Sequence, residues 1–557
     1  MNERWTGRLW LALDVGFAAY LLVLGRLLMP AAAGSTDGPW WASTNDQLLY
    51  GPDSGEWAIH ARAVFDGRWS EVDPHRLPTF LLFVAAAMHT GLEVAVAGHA
   101  VNHVLQLALP VVIYFLGRVT GSRGAGLLAG VWVAIVPALV LASRRSGVDT
   151  TVSFMVPATL LTAWLSARKW WFAPVGGLVA GLTAASHLTA VGYPIPGLIM
   201  VCLNGRPGWR RWASIVVYAA TLWLVVTQIL ANFPHEKLNL LSDTVAEGIA
   251  VPDAQSSDPH SLGEREVVAK ELLLQNAPKA LDATWIKVAN WWRPRWLPLK
   301  WALVLPWLGL LGPLLVDVEG RGWRKALHRL FGGLATGVPL TLCLAPLLAF
   351  TAAKSPERYG DNLLPIAALL VARGASTIPT AVDRLIAWKF PRWPVGILAI
   401  LTLGGFALRL ASGSHPLLRE KPLRPEDREA HAIGAALAHR YPAGIGAICP
   451  AREALGYAGM SFCPTTPCPF QTSVPSYEAC VVRMRKECAG DGPIPYVTIA
   501  NAGADLESDA RREMDKWLGE TLTPVAYVQG TRATLYELPR EGPIESAPSG
   551  EKDGTEK

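Results

Sequence analysis

Several short segments carry residues that can do chemistry as well as pack. Asp53-Ser54-Gly55-Glu56-Trp57-Ala58-Ile59-His60 sets two carboxylates and an imidazole within about two helical turns. A carboxylate so placed can take the proton of an attacking hydroxyl. Asp53 also stands where it would cap the helix that follows, with Glu56 completing a box-like start, and Glu56 and His60 are spaced to pair on its face. Ser143-Arg144-Arg145-Ser146-Gly147-Val148-Asp149 sets two guanidinium groups beside a carboxylate, and Lys354-Ser355-Pro356-Glu357-Arg358-Tyr359-Gly360-Asp361 repeats the pattern. The planar guanidinium fork suits either a salt bridge to the neighbouring acid or the oxygens of a phosphate. Arg76 precedes Leu77-Pro78 and an apolar run from Thr79 to Met88, too short to span a membrane comfortably and suited to a re-entrant or interfacial place. His99, Asn102, His103 and Gln106 form a polar stripe at helical spacing, read as interhelical hydrogen bonding because no His-Glu-x-x-His arrangement accompanies it.

The elements that must position these residues are membrane helices. Of 557 residues, 51% are hydrophobic and only 17% charged, and mean hydropathy is +0.27. That excludes disorder and nucleic-acid binding. The 23 Trp point the same way, since indole rings favour the lipid-water boundary. About eleven stretches are long and apolar enough to be transmembrane helices, near 9–29, 95–116, 124–142, 150–167, 171–187, 188–204, 212–231, 299–318, 330–351, 363–380 and 394–411. The first run exceeds an ordinary secretory-signal core and is read as a span, with Asp14 inside it facing other helices. The 171–187 and 188–204 pair around His187 is short.

Cations sort the loops. Arg4 and Arg8, Arg118 and Arg123, Arg168 and Lys169, Arg206, Arg210 and Arg211, Arg321 to Arg329, and Arg384 to Arg392 fall on one side, which is the cytoplasm by the positive-inside rule. The other side receives the loops at about 30–94 and 232–298, the turns at Arg144 and Arg358, and the tail. Residues 53–65 there, with apolar Trp57, Ala58, Ala61, Val64 and Phe65, read as an amphipathic helix lying on the membrane surface. Residues 412–540 read as a small α/β domain, with a helix at 425–441 and strands at 444–449, 496–500 and 525–538, and 541–557 as a disordered end. Five of the seven cysteines lie in this tail, so an oxidising compartment would pair some and leave one over.

The order of these features resembles a known superfamily. An Asp motif after the first span is followed by the basic-Pro step at Arg76, then the Arg turn with Asp149. Gly181-Leu182-Thr183-Ala184-Ala185-Ser186-His187 and Arg358-Tyr359-Gly360-Asp361-Asn362-Leu363-Leu364-Pro365 come next. Together they look like a GT-C type integral membrane glycosyltransferase, in the group of protein O-mannosyltransferases, aminoarabinose transferases and Rgt-like lipopolysaccharide transferases. The resemblance covers about residues 9–411. It implies an α-helical polytopic fold over 1–411, with the α/β domain at 412–540, in a bacterial inner membrane with the N-terminus cytoplasmic and the C-terminal domain periplasmic.

It also implies an inverting transfer of a sugar from a polyprenyl-phosphate donor to a protein, lipid A or cell-envelope glycan acceptor on the outer face. Asp53 would be the catalytic base. Arg76, Arg358, Tyr359, Arg144 and Arg145 would hold the donor phosphate, and Glu56, His60, Asp149 and His187 would belong to the sugar and acceptor site. No cofactor is called for, and a divalent metal is left open. Membrane lipids are the remaining partners. The chain departs from the pattern at Ser54, where the family often has Glu, and at Arg76 and His187, where Lys is common. A transporter or flippase would instead show charges near mid-membrane and internal repeats; a noncatalytic scaffold would need no outward Arg turns.

Overall fold

The computed structural model describes residues 3–28, 52–69, 76–136, 147–187, 190–205, 207–232, 323–343, 362–385, 425–442, 445–449, 452–458, 460–462, 493–499 and 519–539, with single positions such as 72, 139, 142, 485, 488 and 516. The chain divides into two compact units. The first is Met1–Ala33, Pro74–Phe80 and Val101–Glu420; the second is Gly34–Asp73, Leu81–Ala100 and Lys421–Lys557.

In chain order the described helices are α1 (Glu3–Leu28), α2 (Pro52–Phe65), α3 (Pro78–Met88), α4 (Val94–Thr120), α5 (Arg123–Ile135), α6 (Asp149–Arg168), α7 (Ala173–Ala184), α8 (Pro194–Asn204), α9 (Trp209–Ala231), α10 (Trp323–Leu342), α11 (Leu364–Leu385), α12 (Pro425–Arg440) and α13 (Arg452–Ala458). Helices run through the described part of each expected apolar stretch; those at 299–318 and 394–411 lie outside the described residues. Among the described residues, α4, α6 and α9 are long and apolar enough to cross a membrane. The short pair around His187 is real: α7 has 12 residues and rises about 18 Å, short of a hydrocarbon core of roughly 30 Å.

Small residues set the packing of the first unit. On α7, a Cβ at Gly177 would lie 2.5 Å from the Tyr218 carbonyl oxygen, and one at Gly181 2.6 Å from Val225 Cγ1. This Gly-x-x-x-Gly step lets α7 approach the backbone of α9. Between α6 and α7 the Thr159 and Thr183 hydroxyls meet at 2.6 Å, both fully buried, and Thr183 also donates to the Met155 carbonyl. Leu21 and Leu24 of α1 pack with Tyr114 of α4 and Val131 and Ala134 of α5. Beside them Asp14 accepts from the Tyr114 hydroxyl and pairs with Arg118 and Arg123. Paired this way, a carboxylate inside an apolar helix has its charge answered.

The second unit has a separate core. Ile59 of α2 joins Ile433 and Leu437 of α12, Leu455 of α13, and Val497 and Leu535 of the sheet. Strands β1 (Gly446–Ala447) and β2 (Ser461–Phe462) pair in parallel. The strands β3 (Ile494–Ile499), β4 (Ala526–Tyr527) and β5 (Ala533–Leu538) form an antiparallel sheet in the order β3-β5-β4. A parallel bridge between Ile448 and Tyr496 joins the two. Cys449 is a buried thiol and Cys488 is disulfide-bonded.

Two expectations about α2 change. Its described side chains are buried or half-buried all round, with Trp57 and Ala58 both 2% exposed, and its main neighbour is α13. Small Ala58 and Ala61 allow that close approach, so α2 is held by protein rather than laid along a membrane surface. The helix also begins at Pro52, a residue suited to the first helical position, which places Asp53 inside the first turn instead of at the cap.

Candidate functional site

Three ties hold the chemistry-bearing segments of the first unit. Thr79, the second residue of α3, donates its backbone N–H to the Ala185 carbonyl at 3.0 Å and its hydroxyl to the Leu182 carbonyl at 2.6 Å. The first turn of a helix lacks acceptors and the last turn lacks donors. Here the start of α3 and the end of α7 satisfy one another. Arg76 lies three residues before this junction and His187 two residues after it, each within about 11 Å of chain. Both are half-buried.

The second tie is Asn102 of the polar stripe on α4. It is fully buried, and its amide donates to the Gly147 carbonyl at 2.9 Å. The turn that precedes Asp149 is thereby held against α4. His99, His103 and Gln106 are buried as well. The third tie is Ser153, which donates to Asn362 Oδ1 at 3.3 Å. That bond holds Asn362, just before the start of α11, beside α6, about one turn along from Asp149. Asp149 opens α6, half-buried, where the helix dipole stabilises a carboxylate.

The contacts of Thr183 with Thr159 and with the Met155 carbonyl seat the last turn of α7 against the middle of α6, about 9 to 15 Å along the helix from Asp149. Two junctions result: Ser153 and Asn362 join the first turns of α6 to the start of α11, and Thr79 joins the start of α3 to the end of α7. The start of α6 is a positive dipole end that already holds the Asp149 carboxylate, whereas the start of α3 is met by the carbonyl end of α7.

Of the residues picked from sequence, Arg76 and His187 thus flank one junction of the first unit and Asp149 lies near the other. Asp53, Glu56 and His60 all lie on α2 in the second unit, where Glu56 and His60 are half-buried one turn apart. The Asp53 side chain lies outside the described residues, as do Arg144, Arg145, Arg358 and Tyr359. Sequence reasoning missed Thr79, Ser153 and Asn362 as positioning residues. Thr79 had a signal, a hydroxyl directly after a Pro at the opening of an apolar helix. Ser153 and Asn362 had none, since 209 positions separate them.

No family model matches the chain, and no curated protein matches it in sequence. By fold it is similar to the apo form of the oligosaccharyltransferase of Archaeoglobus fulgidus, with a TM-score of 0.52 over 88% of this chain and 70% of that one, at 13% identity. ArnT from Cupriavidus metallidurans bound to undecaprenyl phosphate aligns over 97% of this chain and 99% of its own, at 14% identity and a TM-score of 0.49. The arabinofuranosyltransferase AftD from Mycobacteria aligns over 97% of this chain and 40% of its own, at 16% identity and a TM-score of 0.40.

Proposed function

We propose that this chain, which has the fold of the GT-C glycosyltransferases, is an inverting glycosyltransferase that draws its sugar from a polyprenyl-phosphate donor and works on the outer face of a membrane. The observation that supports this reading is that one junction joins the segments bearing Arg76 and His187 and another sets Asn362 beside the start of α6 at Asp149. An anionic leaving group calls for a cation such as Arg76.

In the proposed step the acceptor oxygen attacks the anomeric carbon from the side opposite the phosphate. Its proton passes to the Asp53 carboxylate. The bond from the anomeric carbon to the phosphate oxygen breaks, and its electron pair leaves on polyprenyl phosphate. Arg76 answers that charge, together with Arg358, Tyr359, Arg144 and Arg145. Glu56, His60, Asp149 and His187 line the sugar and acceptor side. Arg118, Arg123, Arg168 and Lys169 belong to the opposite end, at the last turns of α4 and α6 and the start of α5. The positive-inside rule assigns that end to the cytoplasm and leaves the reacting end and the 412–540 domain outside, in the periplasm of a bacterial inner membrane. The acceptor is a protein, lipid A or a cell-envelope glycan.

The test is release of free polyprenyl phosphate by purified protein from a panel of polyprenyl-phosphate sugars, with membrane extract as acceptor source, beside an Asp53→Asn variant. Release by the wild type that collapses in the folded variant supports the transferase and its base, and the active donor names the sugar. Equal release by both proteins keeps the transferase and discards Asp53. No release from any donor shifts the reading to a transporter or scaffold.

A further inference from the structure

From Thr150 to His235 the sequence contains no Asp or Glu, yet it carries Arg168, Lys169, Arg206, Arg210 and Arg211. Arg168 and Lys169 close α6, and Arg210 and Arg211 lie in the first turn of α9, beside the turns that join α6 to α7 and α8 to α9. The turns lie side by side: the rings of Trp170 and Trp209 are 5.8 Å apart, and the Ser214 hydroxyl donates to the Ser166 carbonyl at 2.9 Å. Among the described residues no carboxylate pairs with Arg168, Lys169, Arg210 or Arg211. Instead Arg168 sits over Trp164, Lys169 over Trp171 and Arg210 over Trp209. Arg211 lines an open cavity of about 470 Å³ with Cys202, Pro207, Gly208, Trp212 and Ile215. Gly205 makes room for it, since a Cβ there would come within 2.7 Å of Arg211 Cγ.

We propose that this cavity binds the phosphate headgroup of an anionic phospholipid, with Arg211 as its cation. The site lies at the end of α6 opposite Asp149, about 30 Å along the helix, so it is separate from the transfer site. Charge complementarity selects an anion, because the surrounding cations have no acidic counterpart in their own stretch of chain. The apolar surroundings select a lipid rather than a free phosphate. Trp212, Val216 and Trp223, at 68%, 62% and 71% exposure, follow one face of α9 away from the cavity. An acyl chain lies along that face once the headgroup is seated, and the exposed indoles of Trp170, Trp171 and Trp209 mark the boundary at which headgroups sit.

The test uses full-length, delipidated protein in an uncharged detergent and compares retention of phosphatidylglycerol and phosphatidylcholine of the same acyl chains by native mass spectrometry. The wild type is expected to hold phosphatidylglycerol about tenfold more tightly, the ratio that one charge-assisted contact supports. Arg211→Gln brings the ratio close to one while leaving the unfolding temperature in phosphatidylcholine unchanged, and Arg211→Lys keeps part of the preference. Equal retention of both lipids by the wild type overturns the proposal, as does an Arg211→Gln protein that keeps the ratio. Full displacement of phosphatidylglycerol by millimolar inorganic phosphate overturns the lipid reading. If Arg211→Gln fails to fold, the wild-type ratio and the Arg211→Lys protein decide.

Discussion

The two ends of the first unit are closed by different physics. Where the middle of α1 meets the last turns of α4 and the start of α5, Asp14 is 2% exposed and is met by two guanidinium groups and a phenol, while Arg123 also lies over the Trp10 ring at 3.9 Å. Charge is matched by charge, and the cluster locks three helices. At the end of α3, α6, α7 and α11 the ties are made by neutral groups, Thr79, Asn102, Ser153 and Asn362, bonding to backbone carbonyls or to one another. Neutral hydrogen bonds fix where a loop stands without adding a counter-charge to it. A buried carboxylate can be absorbed by charged partners; under the proposed function, neutral ties hold the segments that position the donor.

The largest effect that would sharpen this contrast is on turnover. Asp53→Asn is expected to lower polyprenyl-phosphate release about a thousandfold with the unfolding temperature unchanged. A drop of less than a few fold would remove Asp53 from the chemistry. Asp14→Asn should do the reverse. Loss of a buried partner from its two arginines costs about 3 kcal/mol, seen as a lower unfolding temperature, with activity per folded molecule retained. If that activity falls as well, the two ends are not independent and the comparison breaks.

Thr79→Val keeps the shape of the side chain and removes the hydroxyl that serves Leu182. The expected cost is about 1 kcal/mol of stability, with kcat/KM lowered about tenfold because Arg76 and His187 are carried out of position. A stability loss with unchanged kcat/KM would make this junction purely structural. The smallest effect belongs to the second unit, where Arg532 donates two side-chain bonds and its backbone N–H to Glu429. The side-chain hydrogen bond from Arg532 is the main cause that holds the Glu429 carboxyl below its ordinary value. Its folded value is depressed, so the stability it adds is complete above the unfolded value and fades as pH falls from about 4.3 through the lower folded value. Glu429→Gln should flatten that part of a stability profile recorded between pH 3 and 6, at a cost of about 1 kcal/mol near neutrality. An unchanged acid limb would show that Glu429 is not a partner in it.

Helix positions in the first unit were legible because hydrophobic length is a local property. A run such as 95–116 or 150–167 buries its backbone polar groups within itself and needs no partner to be recognised. The Asn102 stripe was legible for the same reason, as a helical period. The candidate chemistry was legible as residue types, since an Asp before a helix or paired arginines at a turn stand out in an apolar chain. Its placement was legible only in outline, and the helix α2 shows why. Its apolar face matched a membrane-surface helix equally well, because a pattern names the face that is buried and not what buries it.

By itself the sequence determined that this protein is helical and apolar enough for a membrane, where its helices run, and that its cations collect in particular turns. Those properties follow from composition, period and length. The tertiary structure alone decided that Thr79 joins α3 to α7, that Ser153 reaches Asn362, that Asp14 is answered by Arg118 and Arg123, and that α2 is packed by α13 and the core around Val497. Each of these is a contact between residues far apart in the chain. The choice among many equivalent hydroxyls, amides and carbonyls is made by which backbones lie within hydrogen-bonding reach once the helices have packed.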